Sequence, residues 1–303
     1  MRINGKDVLK KMRIEANMSQ EDLAGRLFID ARTYRGYESG KRDMDIWQFA
    51  AMSEALGYPI EDFWQLYLDT NEYEEYRIYK HLKRLLRDRQ ISKVRELLPT
   101  LENGVLTKQP FMRQFIARAK VKVDKDIPND EAIEKLLKAM HMSNPKFDEH
   151  KIADYRLTYN EVNIIIDLAG RLFESGEEDR AISMVKAVIG SRNNSRTSEE
   201  DRASLFPVLM SNLSTMLGRA GRHKESLDVS NEAIEICREY NNLRFLPKIL
   251  YNIACSYLRI GEEEWIYRPH LVRAYHCAYA MGDIYGAKII EKDAKKDFGI
   301  SLP

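Results

Sequence analysis

Cysteine, proline and long apolar runs are all scarce in this sequence. The 303 residues include three cysteines and nine prolines, and no apolar run reaches 18 residues. Cys237, Cys255 and Cys277 form no CxxC pair and lie in apolar segments of helical pattern, so we interpret them as buried thiols of a reducing compartment. The missing apolar run argues against a transmembrane helix, and the segment MRINGKDVLKKMR lacks the apolar centre of a signal peptide. We therefore expect a cytoplasmic protein with no membrane contact.

The sequence also lacks an excess of charge and a recognisable catalytic motif. The net charge is +1, and residues 1–69 carry 10 Lys and Arg against 12 Asp and Glu. A nucleic acid would therefore be held by a local basic patch rather than by the overall field. The six histidines are scattered without zinc spacing, and neither a Walker A loop nor a nucleophile elbow is present. We expect no enzymatic activity, no cofactor and no metal.

The stretch Met18–Gly40 has the pattern of two short helices joined by a tight turn. Ser19 and Asp22 have the spacing of a capping box at the start of the first helix. Asp30 can cap the second helix, and Gly40 is placed to end it in a left-handed conformation. Apolar residues recur at helical spacing between these caps, so the stretch predicts a helical pair.

This pair resembles the helix-turn-helix of the XRE family. The matching residues, over about 50 positions without a gap, are Ser19-Gln20-Glu21-Asp22-Leu23-Ala24, Thr33, Tyr37-Glu38 and Gly40-Lys41-Arg42. Phe28 departs from the pattern, because the family usually has glycine in the turn. A positive φ is costly for phenylalanine, so we expect a turn that is tighter or differently shaped. A plain helical hairpin would share the caps and the apolar spacing, but not the matches at Gln20, Glu38 and Gly40.

The XRE resemblance implies a five-helix DNA-binding domain over residues 1–69. In the family the residue at Gln20 binds a phosphate with help from the helix dipole, and the second helix of the pair reads bases. Asp30 stands where the family has a Ser or Thr phosphate contact, and we interpret it as a cap. An ion pair between Arg13 and Glu38 is implied as structural. The implied DNA contacts, for which a solvated helix face is the alternative at the arginines, are Gln20, Ala31, Arg32, Arg35, Gly36, Ser39, Lys41 and Arg42.

From about residue 70 the sequence predicts helix after helix, with little sign of strands. Three segments share small and apolar residues at fixed distances from a glycine, namely 163–189 around Gly176, 208–234 around Gly221 and 248–275 around Gly261. Two weaker units cover 76–101 and 111–140. The spacings resemble the tetratricopeptide repeat (TPR), which implies a right-handed TPR-like helical superhelix with a concave face over residues 70–303. An all-helical domain without repeat geometry is the alternative.

Two of the repeats carry the same polar pair. Asn212 and Arg219 are seven residues apart, as are Asn252 and Arg259, and two helical turns place each pair on one face. An asparagine amide can pair with a peptide's N–H and C=O together, and an arginine can fork onto a carboxylate. Ordinary polar residues on an open helix face are the alternative. The predicted peptide-binding residues are Asn163, Arg171, Asn212, Arg219, Lys248, Asn252 and Arg259.

An XRE-type domain followed by about five degenerate repeats resembles the RRNPP group of regulators, which includes the Rgg, PlcR, PrgX and NprR types. The resemblance implies an all-α homodimeric transcriptional regulator that binds a two-fold operator in double-stranded DNA. Its repeats would bind a short signalling peptide, as in quorum sensing, and the helix from Tyr73 to about Arg89 would transmit the effect. Three alternatives stay open: repeats that bind a protein partner, a scaffold that has lost DNA binding, and a phosphatase.

Overall fold

The computed structural model describes residues 5–58, 70–191 and 197–302, and every regular element in these ranges is helical. The all-α prediction is therefore confirmed. Within the same ranges, no helix combines the length and the apolar character needed to cross a membrane. The α-helices are α1 (Gly5–Glu15), α2 (Gln20–Arg26), α3 (Ala31–Glu38), α4 (Ile46–Leu56), α5 (Thr70–Arg87), α6 (Ile91–Glu102), α7 (Pro110–Val123), α8 (Asn129–His141), α9 (Tyr159–Glu174), α10 (Glu178–Gly190), α11 (Glu199–Arg219), α12 (His223–Glu239), α13 (Leu246–Ile260), α14 (Glu264–Ala280) and α15 (Ile284–Asp293).

The chain divides into two compact units, Met1–Val123 and Asp124–Pro303. The predicted domain boundary between residues 69 and 70 borders the stretch 59–69, which lies outside the described residues, so this boundary stays a prediction. The fifth helix of the implied DNA-binding domain, which the sequence predicts from about residue 60 to residue 68, also lies outside them. The two helices of the weak repeat predicted at 111–140, α7 and α8, belong to different units.

Helices α1 to α4 share one hydrophobic core in the first unit. Its largest fully buried side chains include Leu23, Tyr34 and Met52, each with no exposed surface. Two capping boxes are present in this unit, and the first is the one predicted at Ser19 and Asp22. The Ser19 hydroxyl accepts a hydrogen bond from the Asp22 backbone N–H at 3.0 Å while the Asp22 carboxylate accepts from the Ser19 N–H at 2.9 Å, and residues 45 and 48 repeat the arrangement at α4.

The turn between α2 and α3 keeps a left-handed residue despite the bulk of the side chain there. Phe28 has a φ of +54°, and its side chain is 97% exposed. The expectation of a reshaped turn was therefore wrong. The Phe28 N–H donates to the Gly25 carbonyl at 3.2 Å and the Ile29 N–H to the Ala24 carbonyl at 3.0 Å, so hydrogen bonds on both sides hold the turn in this form. The conformation places steric strain in the backbone at Phe28.

Replacing Phe28 by glycine is expected to stabilise the first unit by about 0.5–1 kcal/mol, because glycine adopts the left-handed conformation without the steric penalty. The exposed ring makes little packing contact that could be lost. The measurement is thermal unfolding followed by circular dichroism. Phe28→Ala is the matched control, since it removes the ring but keeps Cβ and the strain. An equal rise in melting temperature for both variants would contradict strain as the cause.

Helices α5 to α7 enclose a second hydrophobic core within the first unit. Leu82, Val94 and Met112, one from each helix, have no exposed surface. The Tyr79 and Phe115 rings meet edge to face with centroids 4.8 Å apart, a favourable aromatic geometry. These contacts pack α5 against α6 and α6 against α7.

The second unit contains the three predicted helical hairpins. Helix α9 pairs with α10, α11 with α12, and α13 with α14, while α11 also packs against both α9 and α13. The glycines on which the repeats were aligned all lie in the inter-helix turns at positive φ: 88° at Gly176, 75° at Gly221 and 95° at Gly261. A side chain with Cβ is disfavoured there, so these glycines fix the hairpin turns. The predicted TPR-like arrangement is confirmed for these three repeats.

Candidate functional site

Helix α3, the second helix of the pair, begins at a capped N-terminus. The Asp30 carboxylate accepts hydrogen bonds from the Thr33 backbone N–H at 2.8 Å and from the Thr33 hydroxyl at 2.6 Å. These two bonds lower the pKa of Asp30, so the group is a carboxylate at neutral pH. A negative charge at this end of α3 disfavours a phosphate there, and Asp30 acts as a cap.

Two arginines project from α3 into solvent. Arg32 is exposed, and its guanidinium makes no hydrogen bond or ion pair with the described residues. The exposed Arg35 donates from Nε to the carbonyl of Ala31 at 3.1 Å, which leaves its terminal N–H groups for an external acceptor. Ala31 itself is half-buried and packs against the core of α1 to α4. The face of α3 thus presents two cations rather than an apolar contact.

Gly36 has a structural partner inside the protein. A Cβ at Gly36 would lie 2.9 Å from Cδ of Arg42, because the Arg42 stem crosses the helix at this point. The Arg42 guanidinium donates to the Thr33 hydroxyl at 3.0 Å, and the Ser39 hydroxyl donates to the Gly36 carbonyl at 3.2 Å. The Arg42 stem therefore fills the space beside Gly36, where the missing side chain would otherwise let a DNA backbone approach. The neighbouring Lys41 is exposed.

Arg13 and Glu38 form a two-bond ion pair between α1 and α3. Arg13 donates from Nε to Glu38 Oε2 at 3.0 Å and from Nη2 to Oε1 at 2.9 Å, and the side chains are 11% and 6% exposed. Its Nη1 donates to the carbonyl of Met18 at 2.8 Å, which also fixes the start of the helix pair. Burial works to raise the pKa of Glu38, but the two hydrogen bonds from Arg13 and the positive charge of its guanidinium outweigh it and leave the pKa below its ordinary value. Gln20 is the first residue of α2, so it lies at the helix N-terminus where the resemblance implies a phosphate contact.

Sequence reasoning missed two features of this region. The Thr33 hydroxyl connects Asp30 to Arg42, a contact for which the motif carries no signal. Trp47, the second residue of α4, is 80% exposed. In the sequence, Trp47 lies off the apolar stripe that Phe49, Met52 and Leu56 form along α4, and this could have indicated its exposure.

In the second unit the structure brings three of the predicted peptide-binding residues together between α11 and α13. The Asn252 amide nitrogen donates to the Ser214 and Thr215 hydroxyls, both at 3.0 Å. The Lys248 ammonium lies 3.5 Å from Asn212 Oδ1. Both asparagines are half-buried, so they are held in place while part of each stays open to solvent.

The remaining predicted residues are placed outside this contact. Arg219 donates to Glu174 at 2.6 Å, and Arg171 donates to Asn129 Oδ1 at 3.0 Å. The Asn163 amide donates to a carbonyl one turn earlier in its own helix, at 2.9 Å. Arg259 is exposed, and its guanidinium makes no hydrogen bond or ion pair with the described residues. A ligand carboxylate at Arg219 would have to displace Glu174, whereas Arg259 needs no such exchange.

Nowhere in the described ranges do three or more His, Cys, Asp or Glu side chains gather in a way that could hold a metal ion. Burial raises the pKa of the Cys237 thiol to about 11, so this thiol is protonated at neutral pH.

The N-terminal helices define a helix-turn-helix domain, since residues 8–68 match the family model for a helix-turn-helix domain. Over nearly the whole chain the fold is similar to that of three solved structures. The structure of Bacillus thuringiensis PlcR in complex with the peptide PapR7 and DNA has a TM-score of 0.71 and 16% identity, and the match covers 95% of this chain and 98% of PlcR.

Two further structures show the same likeness. ComR from S. thermophilus, in complex with DNA and its signalling peptide ComS, has a TM-score of 0.58 and 13% identity, with 98% of this chain and 100% of ComR covered. The Streptococcus dysgalactiae SHP pheromone receptor Rgg2 has a TM-score of 0.60 and 12% identity, with 97% and 100% covered. No curated protein sequence matched. At these identities the likeness establishes the fold, and the resemblance to the RRNPP group is confirmed at that level.

Proposed function

We propose that this chain is a cytoplasmic transcriptional regulator that binds DNA through its N-terminal domain and a short peptide through its repeats. The observation that carries the proposal is the combination of a helix-turn-helix domain, with two solvent-facing arginines on α3, and a TPR-like unit with two half-open asparagines. The solved structures of PlcR and ComR, whose folds are similar to that of this chain, each contain DNA and a peptide. We assign residues 1–69 to DNA binding and residues 70–303 to peptide binding and dimerisation.

On the DNA side, the proposal gives base reading to Arg32 and Arg35. A guanidinium can fork onto the O6 and N7 acceptors of guanine in the major groove. Lys41, Arg42 and Ser39 lie at the end of α3 and in the loop that follows it, where they would contact phosphates. Gln20 would add a phosphate contact from the start of α2, and Ala31 and Gly36 shape the surface between these residues. A homodimer would place two such surfaces on a two-fold operator.

The proposed regulation is a linked equilibrium between peptide and operator. If the peptide prefers one packing of the repeats, it favours the dimer geometry that this packing produces. A tenfold change in operator affinity requires about 1.4 kcal/mol of differential binding, which one or two hydrogen bonds can supply. Helix α5, Thr70–Arg87, corresponds to the segment that we predicted to transmit the effect.

The proposed function is tested by operator selection followed by peptide titration. Duplexes that bind the full chain are selected from a random DNA pool, and heptapeptides that bind it are selected from a displayed library. Fluorescence anisotropy then measures operator affinity with and without the peptide. A sequence-specific complex whose affinity shifts at least severalfold with one peptide supports the proposal. Specific DNA binding that no peptide alters would favour repeats that bind a protein partner, and failure to discriminate any DNA sequence would refute the DNA role.

Asn212→Ala is expected to weaken binding of the selected heptapeptide by about 1–3 kcal/mol, because a polar ligand group would lose its partner in a half-buried site. Isothermal titration calorimetry measures the affinity. Asn231→Ala is the matched control, since Asn231 is exposed on α12 and is not a predicted ligand residue. Equal affinities of the two variants would place the peptide elsewhere on the unit.

A further inference from the structure

Four serines are enclosed where α11, α12 and α13 meet. Ser214, Ser226, Ser230 and Ser256 are at most 1% exposed. Ser214 and Ser230 hydroxyls are 2.6 Å apart, the Ser226 hydroxyl donates to the Ser214 carbonyl at 2.9 Å, and the Ser256 hydroxyl donates to Ser226 at 3.1 Å. The cluster reaches the half-open side chain of Asn252 through Ser214. A buried hydroxyl needs a partner, so the cluster restricts how Asn252 can be oriented.

The orientation of the Asn252 amide follows from counting hydrogens. A threonine hydroxyl has a single hydrogen, and Thr215 donates it to the Ser211 carbonyl at 2.8 Å. Towards Asn252, Thr215 can therefore act only as an acceptor, and the amide atom that faces it at 3.0 Å must be the nitrogen. The second amide hydrogen goes to Ser214 at 3.0 Å. Both donors of Asn252 are used inside the protein.

The amide oxygen of Asn252 has no such partner. Asn252 Oδ1 makes no hydrogen bond with the described residues, and it is not among their buried unpaired atoms, so it is open to solvent. Asn212 has the reverse arrangement. Lys248 can only donate, so the atom that it faces at 3.5 Å is Asn212 Oδ1, which leaves the amide N–H groups of Asn212 open. The two asparagines thus offer opposite polarity on neighbouring helices.

We propose that the two asparagines have divided roles towards the ligand: Asn252 accepts a hydrogen bond from a peptide N–H, and Asn212 donates one to a peptide C=O. The inference rests on the proposed peptide binding and deepens it. From the sequence, each asparagine could pair with a peptide N–H and a peptide C=O together. In the structure the amide nitrogen of Asn252 and the amide oxygen of Asn212 are already engaged inside the protein, so each asparagine offers only its other atom to the peptide. Thr215 and Ser214 are then positioning residues, which set the acceptor of Asn252 without touching the peptide. The site selects a chain that presents an N–H and a C=O to α13 and α11 respectively.

Exchanging asparagine for aspartate tests the assignment, because aspartate keeps the acceptor and removes the donors. For the tightest-binding heptapeptide from the displayed library, Asn252→Asp should bind several-fold more tightly than Asn252→Ala. Asn212→Asp should bind no more tightly than Asn212→Ala, since its carboxylate would face a peptide carbonyl. Calorimetry gives the affinities, and urea unfolding gives the stability of each variant separately. The opposite ranking at either asparagine would overturn the divided roles.

Backbone N-methylation of the same heptapeptide, one position at a time, identifies the N–H that Asn252 accepts. At that position the methyl group should weaken binding to the wild-type chain about tenfold more than binding to Asn252→Ala, the effect of one lost hydrogen bond. An equal loss in both proteins at every position would overturn the assignment to Asn252. If no heptapeptide binds the wild-type chain, the proposed peptide function fails and this inference fails with it.

Thr215→Val, which is nearly isosteric, tests the positioning role. The variant should reduce the difference in affinity between the methylated and the unmethylated heptapeptide, because the Asn252 amide can then rotate. Ser211→Ala is the matched control on the same face of α11, since the Ser211 hydroxyl is buried without a partner among the described residues. It should leave the difference unchanged. The same response from both variants would mean that Thr215 does not orient Asn252.

Discussion

Replacing Arg32 and Arg35 together by alanine is expected to abolish sequence-specific DNA binding while leaving the helical content unchanged. Both side chains are exposed on α3, so the fold loses little packing and stability should change by less than about 0.5 kcal/mol. A guanidinium that forks onto guanine contributes about 1–3 kcal/mol of discrimination against the wrong base. Two such losses bring operator affinity close to non-specific affinity. Anisotropy titrations with the selected operator and a scrambled duplex measure the ratio.

The control for this double variant removes the same charge elsewhere. Arg238 and Arg268 are exposed on α12 and α14, and each pairs with a glutamate on its own helix. The Arg238→Ala and Arg268→Ala double variant has the same net charge as the α3 variant, so it should keep its discrimination between operator and scrambled DNA. Retained discrimination in the α3 variant would instead refute the assignment of base reading to this helix. The salt dependence of the residual binding would then report the phosphate contacts alone.

Features that depend on residues close together in the sequence were predictable. The capping boxes need a Ser or Asp and an acceptor three residues later, so the pattern identifies them before any packing is known. The turns at Gly176, Gly221 and Gly261 were predictable for a similar reason, since a left-handed turn between two apolar helical segments favours glycine. The order of helices and the three repeats followed from these local signals.

Contacts between distant residues were not predictable from spacing. Thr215 and Asn252 are 37 residues apart, and the hydrogen bond between them depends on how closely α11 and α13 approach. Arg219 pairs with Glu174, 45 residues earlier, although its position suggested a ligand carboxylate. Phe28 shows a different limit, because a local preference against positive φ was overridden by the hydrogen bonds and packing of the helix pair. Long-range geometry thus decided which groups of the predicted site are open.

Replacing Glu38 by glutamine is expected to lower the free energy of unfolding of the α1 to α4 region by about 3 kcal/mol. The variant keeps the shape of the side chain but leaves the Arg13 guanidinium, which is 11% exposed, without its counter-charge. Native-state hydrogen exchange of the α1 to α4 amides measures this local stability within the full chain. The control is Glu15→Gln, which breaks an exposed ion pair with Lys11 at 3.8 Å and should cost less than about 1 kcal/mol. Equal losses from both variants would mean that burial of the Arg13 pair adds nothing.

The pH dependence of the stability difference between the wild-type chain and Glu38→Gln provides a second, independent check. The folded protein holds the pKa of Glu38 below the ordinary carboxyl value of 4.5, so the unfolded chain takes up the proton first as the pH falls. The contribution of Glu38 to stability is therefore complete well above pH 4.5 and is lost as the pH falls through the lowered pKa of the folded state. The glutamine variant has no such proton to bind, so the stability gap between it and the wild-type chain should narrow in acid. A gap that stays constant from pH 7 to below the folded pKa would show that the charge on Glu38 does not hold α1 against α3.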